Sequence, residues 1–203
     1  MLREKAREFI KRIGITNDIE FKDRKAFIFF NELIKNHPEK ETKLADYNGK
    51  LCIVQNPINK RDFSLAFYKT NGKSETISWN SCIKGKPDTL KETITKALRD
   101  EIQCQIWDFK KNKKYCSVCK KQIPYDQMDI DHCGEMEFKD IAKKYLQNKS
   151  FKMSDFKKNP KTCQPNFCNR IYAKEWQEYH KKYSVLQCLC KQCHKDKTHN
   201  RIT

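Results

Sequence analysis

Residues 188–199 read CLCKQCHKDKTH, with two cysteines at a CxxC spacing and a histidine directly behind the second. The segment reads as an extended run into Cys190, followed by a short helix that opens at His194. A thiolate pair at this spacing can chelate one face of a tetrahedral Zn²⁺, so a second pair is needed to close the site. CSVC supplies it as Cys116 and Cys119, and the KKQI that follows suits a zinc-knuckle hairpin. Seventy residues separate Cys119 from Cys190, so chain is inserted between the two halves of the clamp. Zinc held by Cys116, Cys119, Cys190 and Cys193 would be structural, because four cysteines leave no open coordination position. Redox thiols and coincidence are the competing readings. Cys188, two residues before Cys190, would point the other way on an extended segment and reads as core. Cys163 and Cys168, with Cys133, are a weaker candidate for a second metal.

Working back toward the first pair, residues 128–134 read MDIDHCG, in which Asp131 abuts His132. The clamp would tie the strand leading into this pair to the base of the helix bearing His194. A carboxylate on a strand and an imidazole on a helix can share one divalent cation. Such a cation neutralises a phosphate and its leaving oxygen. A histidine with an ordinary pKa near 6.5 can take a proton from water near neutrality. Alone, the dipeptide would read as an aspartate orienting its neighbour; with the clamp and His194 it reads as catalytic.

The charge points to the same class of partner. The 203 residues carry a net +17, and the charge is uneven. Residues 1–110 hold 22 basic and 16 acidic side chains, net +6, whereas 111–203 hold 21 and 10, net +11. Such an excess favours a polyanion, because neutralising phosphates releases counterions. A solubilising surface, the lysine bias of an AT-rich genome and an anionic membrane surface are the blander readings. Eleven cysteines in a chain without a signal-peptide pattern argue against a disulfide framework. No apolar run approaches a membrane span. The expectation is a soluble, intracellular protein, cytoplasmic in a prokaryotic or phage setting, that binds DNA and no membrane.

Apolar periodicity places a helix over 2–13 and another from an N-cap at Asp23, carrying Ala26, Phe29, Phe30, Leu33 and Ile34 inward. The period then shortens: KLCIVQN, RDFSLAFYK and SETISWN read as strands, the last two joined at Asn71-Gly72, a hairpin signal. Beyond Pro87 a helical pattern runs to about 110, and a further helix is expected at about 172–183. The fold class is α+β. It comprises a small N-terminal α+β domain with an antiparallel meander (1–86), a linking helix and basic boundary (87–113) that packs against both halves, and a zinc-stabilised C-terminal domain (114–203). The last contains an insertion at about 134–171, rich in lysine and phenylalanine, which would contact DNA or lengthen the fold.

CSVCKKQI, MDIDH and LQCLCKQCHKDKTH, in this order, resemble the HNH (ββα-metal) endonuclease superfamily, in its zinc-containing type. The resemblance covers roughly 114–203. It implies that Cys116, Cys119, Cys190 and Cys193 bind zinc, that Asp131 and His194 bind the catalytic metal, and that His132 is the general base. The asparagine of the superfamily's middle motif falls on Val185, so its positioning role is missing or filled by another group; His180, in EWQEYH, is the candidate, with an exposed or packed helix histidine as the other reading. DRKAFIFFNELIKNHPEKETK and NGKSETISWNSCI faintly resemble the domain of the defective-chloroplasts-and-leaves family, which implies a compact α+β unit and no settled chemistry.

The expected activity is therefore Mg²⁺- or Mn²⁺-dependent DNA hydrolysis, of restriction, homing or nicking type, leaving 5′-phosphate and 3′-hydroxyl ends by resemblance. One such centre cuts one strand at a time, so double-strand cleavage would call for a homodimer or successive nicks. Arg170, Lys174, Lys195, Lys197 and Arg201 are candidate phosphate contacts; His199 is a lesser candidate for a metal or phosphate contact. The alternative is a zinc-stabilised nucleic-acid-binding module without catalysis. A zinc-dependent protein-interaction domain would leave the +11 unexplained.

Overall fold

The computed structural model describes residues 1–56 and 62–199. The chain is α+β and divides into two compact units, Met1–Asp88 and Thr89–Thr203. Among the described residues no helix is long and apolar enough to cross a membrane.

In the first unit, α1 (Leu2–Ile13) buries Ala6, Phe9, Ile10 and Ile13 at helical spacing. Two aspartates start the next helices by accepting backbone N–H groups. Asp18 caps α2 (Ile19–Lys22) through Phe21 N at 3.1 Å, and Asp23 caps α3 (Arg24–Ile34) through Ala26 N at 3.0 Å. After the short α4 (Lys40–Lys43) come β1 (Tyr47–Gln55), β2 (Phe63–Lys69) and β3 (Ser74–Thr76), an antiparallel meander in that order. The turn between β2 and β3 uses Gly72 at φ +79°, a left-handed conformation that costs glycine little. Phe30, Ile34, Leu51, Ile53, Leu65 and Phe67 form the centre of this unit's core.

One expectation fails here. The third strand stops at Thr76 rather than running through SETISWN. Ile77 N still reaches Leu65 O at 2.9 Å, but the Ser78 side chain then accepts from Ser81 N and opens α5 (Trp79–Lys84). A serine N-cap ended the strand that the β-formers suggested.

The second unit begins with a capping box, in which Thr89 and Glu92 satisfy each other's backbone N–H groups at the head of α6 (Leu90–Glu101). The stretch read as one linking helix is two: α6 ends at Ile102 (φ −98°, ψ 3°) and α7 (Gln103–Lys111) follows. The break redirects the chain. α6 packs on β6 (Pro165–Phe167) and α9 (Arg170–Tyr183), whereas α7 meets β4 (Met128–Cys133). Both helices lie inside the second unit.

The inserted region forms α8 (Phe138–Leu146) and a small hairpin of β5 (Phe156–Lys158) with β6. It lengthens the fold: Phe138, Ile141, Tyr145, Phe151 and Phe167 build a core with Leu98 and Trp176. β4 pairs antiparallel with β7 (Val185–Cys190), and α10 (Lys191–His199) packs against both strands. A third cluster, of Cys116, Ile123, Met128, Cys188 and Leu189, lies beneath the cysteine pairs, and Cys188 is core as expected.

Candidate functional site

The first cysteine pair sits on a tight turn. A bridge joins Tyr115 to Gln122, Cys116 N donates to Lys121 O at 2.9 Å, and Lys120 adopts φ 61°. Ser117 N donates to Cys188 O at 2.8 Å and so fastens the turn to β7, whose end carries Cys190. Cys193 follows one turn into α10. The ligand atoms of Cys116, Cys119, Cys190 and Cys193 all lie within 4.8 Å of one another. Among the described residues this is the one group of three or more such side chains able to hold a metal.

The group can hold a tetrahedral ion. A Zn–S bond near 2.3 Å gives sulfur–sulfur edges of about 3.8 Å, and Cys119 Sγ lies 3.9 Å from Cys190 Sγ. Burial works against ionising Cys116, but backbone N–H groups of Cys190, Cys119 and Val118 pull its thiol down to about 6. Cys193 is driven the other way, to about 12, by its hydrogen bond with Cys190, by burial and by the neighbouring sulfurs. The Cys116 thiolate forms readily and that of Cys193 does not, an imbalance that a bound dication would remove. Cys133 and Cys168 instead point at backbone oxygens, Val185 O at 3.4 Å and Ser154 O at 3.7 Å, and no second group gathers them with Cys163.

β4 divides the next residues between its faces, because strand side chains alternate. Asp129 and Asp131 meet α10. His194 Nδ1 lies 3.0 Å from Asp129 Oδ2, while Lys197 Nζ donates to Asp131 Oδ2 at 2.5 Å and to His132 O at 2.9 Å. Gln187, opposite Asp131 in the strand pair, adds a bond of 3.2 Å to the same carboxylate oxygen. Asp131 and His194 thus lie on adjoining elements, each with its own partner. Among the described residues Asp129, Asp131 and His194 do not gather as the four cysteines do, and Lys197 occupies the Asp131 oxygen that a cation would use.

His132 faces the other way, toward α9. Its Nε2 is 2.8 Å from Nε2 of His180, and the two rings meet edge to face. His180 is fully buried, stacked near Trp176, and its Nδ1 is 2.8 Å from Oε1 of Gln105 on α7. The sequence singled out His180; Gln105 carried no signal, since a glutamine on a polar helix has no motif. Burial lowers the pKa of both rings. For His132 it is opposed by Asp131 and reinforced by Arg99 and Lys197, and His180 falls to about 4 with His132 as the second cause. Val185 is 56% exposed and makes no contact with either ring.

Arg99 is a further residue the sequence did not flag. Its guanidinium lies 4.2 Å from the centroid of the Phe138 ring, which itself abuts His132. Among the described residues it has no carboxylate partner. Of the expected phosphate contacts, Arg170 is instead bonded to Glu101 through both guanidinium ends, at 2.6 and 2.8 Å. Lys197 is bound as above, Lys174 and Lys195 are exposed, and Arg201 lies outside the described residues. His199 is exposed and bonds Lys195 O within its own helix.

No family model, no curated protein and no solved structure matches the chain. The likeness to ββα-metal enzymes therefore rests on the sequence motifs alone, and the structure adds a four-cysteine group that could hold a metal.

Proposed function

We propose that the second unit is a divalent-metal-dependent DNA endonuclease of the HNH type, with a structural zinc on Cys116, Cys119, Cys190 and Cys193. The observation that carries this reading is the four-sulfur group, which sets the first turn of α10 beside β4 and so brings His194 and Lys197 to Asp129 and Asp131. Asp131 and His194 would hold a Mg²⁺ or Mn²⁺ ion, which supplies neutralisation of the scissile phosphate and leaving oxygen. His132 takes a proton from the attacking water as its oxygen bonds to phosphorus. The P–O3′ bond breaks, and the 3′ oxygen is protonated from solvent. Arg99, held on Phe138 and without an acid partner among the described residues, supplies positive charge beside His132. The second unit's 25 basic against 14 acidic residues support DNA as the partner.

Supercoiled plasmid incubated with Mg²⁺ or Mn²⁺ should be nicked by the wild type and not by His132→Ala. Equal cutting by both, or none by either, overturns the reading. The ion pair of Lys197 with Asp131 favours a second reading, a zinc-stabilised nucleic-acid-binding module without catalysis. That reading predicts salt-dependent DNA binding and no cleavage with any divalent ion.

A further inference from the structure

We propose that Gln105 and His180 are positioning residues that fix which nitrogen of His132 carries its proton, leaving Nδ1 as the bare nitrogen that faces outward. The proposal rests on the nuclease reading and names the atom that would accept the water's proton. The assignment starts from a group whose role is beyond choice. The backbone oxygen of Gln177 can only accept, and Gln105 Nε2 lies 2.8 Å from it, so this end of the Gln105 amide is the NH₂. Its Oε1 therefore faces His180 Nδ1, and the ring must donate there. Both rings are buried and neither faces a carboxylate across the contact, an environment that disfavours a charged imidazole, so each holds one proton. With its proton on Nδ1, His180 presents a bare Nε2, and His132 must donate from its own Nε2 across the 2.8 Å contact. The Nδ1 of His132 is left as a lone-pair acceptor.

Among the described residues that atom has no hydrogen-bond partner, and His132 keeps 8% of its surface exposed, so a water reaching the ring would meet a bare nitrogen there. Donation thus runs one way, from His132 through His180 and Gln105 to Gln177 O, with the lone pair at the open end on His132. In the HNH superfamily's motif an asparagine occupies the place of Val185; here a histidine from α9 and a glutamine from α7 hold the ring.

Nitrogen-15 NMR of the histidine-labelled full chain, assigned by single replacements, reads the tautomers directly. The expected result is a bare Nδ1 and protonated Nε2 on His132, with the reverse on His180. In Gln105→Met, which removes the acceptor, the His132 signals should shift toward a mixture of tautomers. Plasmid nicking should lose about 10-fold or more in kcat with little change in KM. A proton on Nδ1 of wild-type His132, or unchanged His132 signals in a folded Gln105→Met, overturns the proposal. The expected tautomers in a protein that cuts no DNA overturn the nuclease reading alone.

Discussion

The imidazoles of His132 on β4 and His180 on α9 approach to 2.8 Å between their Nε2 atoms, 48 residues apart in the chain. The contact joins the two-stranded ββ element to the aromatic core of the insertion, since His180 packs on Trp176 and His132 on Phe138. His180→Ala would leave a donor on His132 and an acceptor on Gln105 unpaired in the interior, and would open a cavity beside Trp176. A loss of about 2–4 kcal/mol in urea unfolding is expected. A change within about 0.5 kcal/mol, the range of ordinary surface substitutions, would mean that the contact does not form.

The four-sulfur group should carry one zinc per chain. Elemental analysis of reduced protein should find it, and Cys190→Ser should lose it. Structural zinc binds with an apparent free energy of about 10–16 kcal/mol in small domains, so a strong chelator should melt the second unit while the first keeps its helical signal. A folded, reduced sample without metal would refute the clamp.

Arg170 should matter for stability rather than for DNA. Its partner Glu101 is buried and also accepts from Asn166 Nδ2, Phe167 N and Gln177 Nε2. Arg170→Ala leaves that carboxylate without its counter-charge, at a cost of about 2–3 kcal/mol; the figure is below that of a fully enclosed pair because the arginine is 57% exposed. Thermal melts should show the loss, and the salt dependence of DNA binding should not change.

Arg99 should behave in the opposite way. Arg99→Ala gives up a cation–π contact worth about 1 kcal/mol but removes a charge beside His132. The slope of log affinity against log salt should fall by about one phosphate contact, with nicking reduced at the same time. An unchanged slope would remove Arg99 from the DNA surface.

In the first unit, Asp23 gives a pH dependence of known sign. The Ala26 N–H at its carboxylate, then the Arg12 guanidinium, hold its pKa below 3.8 against the opposing effect of burial. A folded pKa below the unfolded one contributes stability that is fully present above about pH 4 and is lost as pH falls through the folded value. Asp23→Asn keeps a capping oxygen without the charge, so it should melt a few degrees below wild type at pH 7. The two should converge once the pH falls below the folded pKa of Asp23. A gap that persists in acid would show that the charge contributes nothing.

Sequence alone determined the elements whose cause is local. Apolar residues at three- and four-residue steps set α1 and α3, Asn71-Gly72 set the turn of the meander, and two CxxC spacings with flanking β-formers set the clamp. The sequence singled out His132 and His194 by their neighbours: His132 follows an aspartate, and His194 follows a cysteine of the four-sulfur group. Tertiary structure decided what depends on partners distant in sequence. It split the helix at Ile102 so that one half faces α9 and the other β4, and it turned the insertion into a core around Trp176. It gave Asp131 to Lys197, gave Arg170 to Glu101, and set Gln105 behind His180. Hydrogen bonds between side chains some 70 residues apart leave no periodicity in a chain, because a polar residue on a helix is written the same way whether it meets water or a buried ring.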